Sequence, residues 1–181
     1  MEQGRMIVLT GAPGTGKTTA SAMVAEKSER KKSVHMHTDD FYHYLCKGAI
    51  APHLPEADGQ NLIVIEAFLE AAKRYARGGY DVIVDGVVGP WFLEPWRGAA
   101  REGYEVHYVI LRAGKEETFK RAVCRSKLDR KANMELVDVM WEQFQNLGTY
   151  ESNVIDTTGC SPEETVSMIM KKVADGTALL W

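Results

Sequence analysis

The stretch Met6-Ile-Val-Leu-Thr-Gly11-Ala-Pro-Gly14-Thr-Gly16-Lys17-Thr18-Thr19 decides the fold of this chain. It begins as an apolar, strand-like run and opens into the pattern GxxxxGKT, after which a helical pattern follows. The glycines allow successive backbone N–H groups to close around phosphate oxygens, because a Cβ there would clash with the turn or the ligand. The stretch therefore predicts a phosphate-binding loop between a first strand and a first helix.

The polar residues of this loop have predicted roles at a bound nucleotide. Lys17 is expected to reach the β and γ phosphates, and Thr18 to place its hydroxyl on the Mg²⁺ that bridges them. The positive end of the helix dipole faces the same anion. We therefore predict ATP and Mg²⁺ as cofactors. The predicted phosphate-binding residues are Gly11, Gly14, Thr15, Gly16, Lys17, Thr18 and Thr19.

The bulk composition limits the class of protein. The 181 residues suffice for one α/β domain with a full core and leave no length for a second domain of ordinary size. A formal net charge of −3 gives no overall electrostatic attraction to nucleic acid or to an anionic membrane. We expect a small-molecule acceptor, with neither nucleic acid nor a membrane as partner.

Cysteine usage favours a reducing compartment. Cys46, Cys124 and Cys160 are scattered without metal-ligand spacing, which is typical of free thiols. The sequence shows neither a leader-like segment nor a membrane-spanning run, so we predict a cytoplasmic protein.

The apolar ending Ala178-Leu-Leu-Trp181 is compatible with docking on its own domain or on a second copy, which leaves a homodimer open.

Apolar runs rich in valine and isoleucine alternate with helical patterns along the chain. This alternation is typical of a parallel sheet covered by helices on both faces. The predicted strands are 6–10, 33–37, 80–85, 105–112 and 153–156, and the predicted helices are 16–30, 40–47, 61–77, 93–102, 115–126, 134–148 and 162–174. In the last helix, Ser161 can cap the first turn while Glu164 returns the bond. Segment 51–59 lacks a clear pattern and could border the acceptor pocket.

Two adjacent carboxylates, Asp39 and Asp40, follow the second predicted strand. Strand carboxyl ends face the ligand crevice of a doubly wound sheet, so a carboxylate there can accept the proton of an acceptor hydroxyl. We predict Asp39 as this base, with Asp40 and Tyr42 also beside the substrate. The alternative is that Thr38 or Asp39 only caps the following helix and that Asp40 is an ordinary acid of its first turn.

The third predicted strand closes on Asp85-Gly86, which has the form of a Walker B segment. Asp85 is predicted to hold a water of the Mg²⁺ shell or to orient the acceptor, and the alternative is a turn-forming Asp-Gly pair. Trp91 is a candidate wall of the acceptor pocket, although core packing explains it equally well.

The five histidines show no ligand spacing, so we expect satisfied or surface side chains rather than a metal site. They are His35, His37, His43, His53 and His107.

A basic cluster follows the fourth predicted strand and includes Arg121, Arg125 and Arg130. Arg121 and Arg125 lie four residues apart and share a helix face. Guanidinium groups there can close over the nucleotide and neutralise charge on the transferred group. A solvated charged helix is the alternative interpretation.

Together, the phosphate loop, the Asp-Asp and Asp-Gly pairs and the Arg-x-x-x-Arg segment resemble the small P-loop kinases of the chloramphenicol phosphotransferase, shikimate kinase and gluconate kinase group. The resemblance covers nearly the whole chain and is nearest to uncharacterised kinase-like proteins. It implies an α/β, three-layer P-loop NTPase fold, with a five-stranded parallel sheet in the order 2-3-1-4-5 and helices on both faces. It also implies transfer of the ATP γ-phosphoryl to a hydroxyl of an antibiotic, a sugar or another metabolite.

The resemblance further assigns roles to single residues. Arg121 resembles the arginine that packs on adenine, and Thr158 lies in the loop after the last strand that borders adenine. Arg125 and Arg130 resemble arginines of a short lid around 121–133. The implied catalytic residues are Lys17, Asp39, Arg125 and Arg130.

Departures from the family pattern narrow the choice of acceptor. The third strand lacks the arginines with which shikimate kinases bind a carboxylate substrate, and this disfavours an anionic carboxylate. The short lid lacks the cysteine pairs or long insertion of some adenylate kinases, so a nucleoside monophosphate is less favoured. GTPase activity is disfavoured because no NKxD segment occurs. A regulatory nucleotide-binding protein without catalysis and, less favoured, a polynucleotide 5′-kinase are the alternatives.

Overall fold

The computed structural model of this chain, which describes residues 2–125 and 130–181, is built on a five-stranded parallel sheet. The side chains of 123–125 and 130–133 are outside that description. The strands lie in the order β2-β3-β1-β4-β5, so the predicted fold class and strand order are confirmed. Their bounds are β1 Met6–Thr10, β2 Ser33–His37, β3 Asp81–Asp85, β4 Val106–Arg112 and β5 Val154–Asp156.

Helices connect these strands and cover both faces of the sheet. Their bounds are α1 Lys17–Glu26, α2 Thr38–His43, α3 Asp58–Arg77, α4 Glu94–Arg101, α5 Lys115–Arg125, α6 Arg130–Gln143 and α7 Pro162–Ala174. None of the helices in the described part of the chain combines the length and the apolar character that crossing a membrane requires.

Alternate residues of β1 belong to two separate hydrophobic cores. Met6 and Val8 belong to the core covered by α3 and α4, whereas Ile7 and Leu9 belong to the core covered by α1 and α7. This division follows from the two-residue period of a strand, which sends successive side chains to opposite faces. Because β1 lies between β3 and β4, the phosphate loop emerges from the middle of the sheet.

Contacts between distant residues explain why two helices end earlier than predicted. Helix α1 ends at Glu26 rather than at residue 30, because Ser28 and Arg30 turn toward Asp81, with Oδ2 2.6 Å from Ser28 Oγ and Oδ1 3.2 Å from Arg30 Nε. Helix α6 ends at Gln143 rather than at residue 148, because the Arg112 guanidinium donates to the carbonyl oxygens of residues 144 and 145.

The connection between α2 and α3 also differs from the prediction. Helix α2 spans Thr38–His43 instead of 40–47, and α3 begins at Asp58 after a short turn over Pro55–Ala57. Gln60 exchanges two hydrogen bonds of 2.8 Å with the backbone of Ile50, so the first turn of α3 holds the connection in place. The segment 51–59 is therefore not an irregular loop throughout.

Helix α7 has the predicted bounds and the predicted cap. The Ser161 hydroxyl accepts the backbone N–H of Glu164 at 3.2 Å, and the Glu164 carboxylate accepts that of Ser161 at 2.7 Å. This reciprocal pair satisfies two donors that a helix start leaves without intrahelical partners.

The carboxyl end of the chain docks on its own sheet. Ala178 and Leu180 are buried, and their backbones pair with Tyr108 and Val106 of β4 at 2.7 and 2.8 Å. These bonds satisfy the part of the β4 edge that β5 does not pair with. Of the two docking modes left open by the sequence, the structure shows the one within the chain. Trp181 is exposed.

Candidate functional site

The phosphate loop between β1 and α1 depends on glycine backbone geometry. Gly14 and Gly16 have φ angles of +87° and +91°, which side chains disfavour. A Cβ at Gly14 would also lie 2.4 Å from the carbonyl oxygen of Thr118 in α5. Lys17 donates from Nζ to the carbonyl oxygen of Ala12 at 3.0 Å, so its charge lies across the loop. The loop has the conformation and the charge that phosphate binding requires.

Gly11 is needed for packing. Its φ is +143°, and a Cβ there would lie 2.1 Å from the carbonyl oxygen of Leu111 in β4. Glycine at position 11 therefore allows the loop to pass close to the β4 backbone as it leaves β1. Its predicted contact with the cofactor stays a prediction.

A cavity of about 1010 Å³ extends from the phosphate loop along α5 to the loop after β5. Arg121 and Thr158 both line it, together with loop residues 14–16 and Thr19. Glu117 organises this end of the cavity, since it pairs with Arg121 and accepts the backbone N–H of Gly159 at 2.9 Å. The cavity is large enough for a nucleotide-sized ligand. The structure thus places the two residues assigned to adenine beside one cavity.

The predicted lid lies largely outside the described residues. Arg125 is the last residue of α5 and Arg130 is the first of α6, but neither side chain is part of the description. Their catalytic roles stay predictions.

A second cavity, of about 310 Å³, lies at the carboxyl ends of β2 and β3. Lys17 and Thr18 line it from the phosphate loop, Asp39 from α2 and Asp85 from the end of β3. Four polar residues singled out in the sequence therefore meet at one place. They meet because parallel strands bring their carboxyl ends to the same edge of the sheet.

The geometry around Asp39 excludes the capping alternative. Helix α2 begins at Thr38 after His37, and no side chain caps it. Thr38 is buried against Gly86, where a Cβ would lie only 1.9 Å from the Thr38 hydroxyl oxygen. Asp39 follows as an exposed residue that lines the cavity. Asp40 is an exposed acid of the first turn, which agrees with its ordinary interpretation.

Three predicted substrate contacts have no support in this geometry. Among the described residues, the wall of the small cavity includes Asp39 but not Asp40, Tyr42 or Trp91. Tyr42 lies near Asp39, and burial together with the charge of Asp39 raises the pKa of its hydroxyl to about 12. Trp91 is 56% exposed and packs edge-to-face on Phe144, with 5.5 Å between ring centroids.

Sequence reasoning missed the apolar side of the small cavity. Val87, Ala122 and Val137 form it. Val87 follows Asp85-Gly86 directly and could have been inferred from that position. The other two come from α5 and α6, and no local pattern distinguishes them from core residues.

Asp85 lines the small cavity and is buried, with only 1% of its surface exposed. His37 Nε2 lies 2.9 Å and His35 Nε2 3.6 Å from its Oδ2 atom. Burial opposes ionisation of this carboxyl, but His35, Thr18, His37 and Lys17 around it hold its pKa below the ordinary value. Asp85 is therefore an ionised acid under the phosphate loop.

The expectation that the histidines form no metal site stays a prediction, but His35 and His37 lie close together beside Asp85. Together with Asp85 they offer ligand atoms that lie within 4.8 Å of one another. The signal was present in the sequence, because residues two apart on a strand share a face. His43 and His53 are exposed, as expected of surface histidines. Buried His107 contacts Glu105 through Nε2 at 2.8 Å, while its Nδ1 atom has no hydrogen-bond partner among the described residues.

Comparison with known proteins identifies relatives over most of the chain. The family model described as an AAA domain matches residues 7–140. A protein of Thermococcus gammatolerans named "Putative adenylate kinase" is 29% identical over 177 residues, which cover 94% of this chain and 86% of the relative. A protein of Pyrococcus furiosus with the same name is 28% identical over 176 residues, covering 94% and 85%.

Solved structures with a similar fold include small-molecule kinases. The Mycobacterium tuberculosis APS kinase CysC, in complex with AMPPNP and APS, has a TM-score of 0.72 at 16% identity, with 96% of this chain and 99% of that chain covered. A gluconokinase from Sinorhizobium meliloti 1021 has a TM-score of 0.66 at 15% identity, with 97% and 94% covered. These likenesses show a shared fold.

Proposed function

Because this chain belongs to the AAA domain family and has the fold of P-loop kinases, we propose that it is an ATP-dependent kinase that phosphorylates a hydroxyl group of a small molecule. The observation that carries this proposal is the position of Asp39 in the same 310 Å³ cavity as Lys17 and Thr18. Asp39 thus shares a cavity with the residue types that hold the terminal phosphates in P-loop proteins, which supports the proposal.

Asp39 has the properties of a general base for an alcohol acceptor. Its side chain is exposed to the cavity, and the helix that carries it starts at the buried residue Thr38. A carboxylate in this position can accept the hydroxyl proton and align the acceptor oxygen with the γ-phosphoryl. Lys17 then stabilises the negative charge on the transferred group.

Mg²⁺ fits the donor groups next to the phosphate loop. The Thr18 hydroxyl and the Asp85 carboxylate line one cavity, and both offer the oxygen ligands that Mg²⁺ prefers. The lowered pKa of Asp85 keeps this donor ionised. When bound with ATP, Mg²⁺ would supply positive charge at the phosphates. Thr18 would ligate it directly, and Asp85 through a water.

The larger cavity is the proposed site of the adenosine part of ATP. Arg121 of α5 and Thr158 of the loop after β5 both line this cavity. Glu117 links α5 to that loop through its contacts with Arg121 and Gly159. Arg125 and Arg130 are the proposed lid arginines for the transferred phosphoryl group.

The charges of the small cavity favour an uncharged alcohol as acceptor. Within the described lining, Asp39 and Asp85 contribute two carboxylates. Lys17 would be paired with the ATP phosphates, so a phosphate group on the acceptor would meet these carboxylates and be repelled. A nucleoside monophosphate is the second candidate, because the Thermococcus and Pyrococcus relatives are named as adenylate kinases.

The test is Mg²⁺-dependent ATP consumption measured across a panel of alcohols, sugars, nucleosides, hydroxyl-bearing antibiotics and AMP. Asp39→Asn is assayed in parallel, with Asp40→Asn as the matched control on the same helix turn. Turnover that an alcohol stimulates, and that is lost only in Asp39→Asn, supports the proposal. Stimulation by AMP alone would favour the second candidate. Tight ATP binding with no acceptor response in any variant would favour a regulatory protein.

A further inference from the structure

Two histidines of β2 converge on the acid that ends β3. The strands pair in parallel with His37 opposite Asp85, and His35 lies two residues earlier on the same face of β2. Both Nε2 atoms approach one atom, Asp85 Oδ2, at 2.9 and 3.6 Å. This convergence is a product of strand register.

The same atoms are incompletely satisfied. Asp85 Oδ2 and His35 Nε2 are buried and have no hydrogen-bond partner among the described residues. The contact from His37 has the distance of an ion pair but not the alignment of a hydrogen bond. Buried polar atoms are nearly always paired with protein, water or an ion. A ligand bound between these three side chains would supply the missing partners.

We propose that His35, His37 and Asp85 bind a transition-metal dication such as Zn²⁺, at a site distinct from the Mg²⁺ that accompanies ATP. Two imidazoles and one carboxylate are a donor set typical of Zn²⁺, whereas Mg²⁺ prefers oxygen ligands alone. Ligand atoms of a tetrahedral Zn²⁺ site lie about 3.3 Å apart. The distances from Asp85 Oδ2 to Nε2 of His37 and to Nε2 of His35, 2.9 and 3.6 Å, lie on either side of that value.

The proposed metal site is compatible with a bound nucleotide. Oδ2 is the carboxylate oxygen that both histidines approach, which leaves Oδ1 of Asp85 for Thr18 and the nucleotide metal. His37 and Asp85 also line the 310 Å³ cavity, so the fourth ligand position is open toward an acceptor oxygen or a water. The proposal concerns metal binding and does not require that the chain be a kinase.

The experiment is a titration of tag-free, chelator-treated protein with Co²⁺ in excess Mg²⁺, without nucleotide. Co²⁺ substitutes for Zn²⁺ and reports its ligands through visible absorption. We expect one Co²⁺ per chain, displaced by Zn²⁺, with affinity at least about tenfold weaker in His35→Ala and in His37→Asn. His43→Ala, which changes an exposed histidine of α2, should bind Co²⁺ as the wild type does.

Thermal unfolding with and without Zn²⁺ distinguishes variants that fail to fold from folded variants that no longer bind the metal. Zn²⁺ should raise the Tm of the wild type and of His43→Ala but not that of a folded His35 or His37 variant. The proposal is overturned if the wild type binds no stoichiometric Co²⁺, if Mg²⁺ displaces it, or if both histidine variants bind it unchanged.

Discussion

The side chain of Lys17 donates from Nζ to the backbone oxygen of Ala12 at 3.0 Å, so the lysine of the phosphate loop bends back over its own loop. An ammonium group prefers an ionised acceptor to a carbonyl, because charge-assisted hydrogen bonds are about twice as strong as neutral ones. Arriving phosphates would therefore replace Ala12 as the partner of Nζ. The same bond ties the first residue of α1 to the loop that precedes it.

Lys17→Ala is expected to weaken ATP binding by at least about tenfold, because one charge-assisted bond to phosphate is lost. The fold should persist, since Lys17 begins α1 and alanine is a good helix former. Calorimetric titration with ATP measures the effect, and Lys27→Ala at the end of the same helix serves as the control. Unchanged affinity and unchanged turnover in Lys17→Ala would refute the phosphate role of the loop.

Asp39→Asn is expected to lower acceptor-dependent turnover by roughly 10²- to 10⁴-fold while ATP affinity stays near that of the wild type. The amide keeps the size of the side chain but cannot accept the acceptor proton. Steady-state kinetics and ATP titration on the same preparation separate the two effects. If Asp40→Asn loses as much turnover as Asp39→Asn, the assignment of the base is wrong.

Gly86→Ala is expected to destabilise the chain by about 1–3 kcal/mol, because the new Cβ would overlap the buried Thr38 side chain. Since Gly86 follows Asp85 and Thr38 precedes Asp39, the overlap should also separate the two carboxylates and lower activity. Denaturant unfolding measures the free energy. Gly98→Ala in α4 is the control, because the atom nearest to the new Cβ would lie 3.8 Å away, in the Arg101 side chain, and alanine favours a helix. Equal stability of both variants would contradict the packing described for Gly86.

Asp85 is expected to contribute to stability in a pH-dependent manner. Its folded-state pKa lies below the ordinary aspartate value of 3.8, so the stabilisation is present above pH 3.8 and is lost as the pH falls through the folded-state pKa. The difference in unfolding free energy between wild type and Asp85→Asn should therefore shrink below about pH 4. Denaturant unfolding from neutral to acid pH, in the presence of a chelator, measures it. A difference that grows toward acid pH would reverse the sign of the assigned shift.

Several features of the fold could be predicted because they depend on neighbours in sequence. The cap of α7 follows from Ser161 and Glu164, three residues apart, and both its bounds and its hydrogen bonds are confirmed. The ends of α1 and α6 could not be predicted. They are set by the carboxylate of Asp81 and the guanidinium of Arg112, which lie more than 30 residues away from the residues that they contact.

The phosphate loop and the acids that end β2 and β3 could be recognised in the sequence, because glycine geometry and the alternation of apolar residues are local requirements. Which polar side chains share a cavity depends on the tertiary structure. It brought Asp39 and Asp85 to Lys17 but not Asp40 or Trp91. It also placed His37 2.9 Å from Asp85, a contact that exists only through the parallel register of β2 and β3. Such a register depends on the packing of the whole sheet, and a single segment of sequence does not specify it.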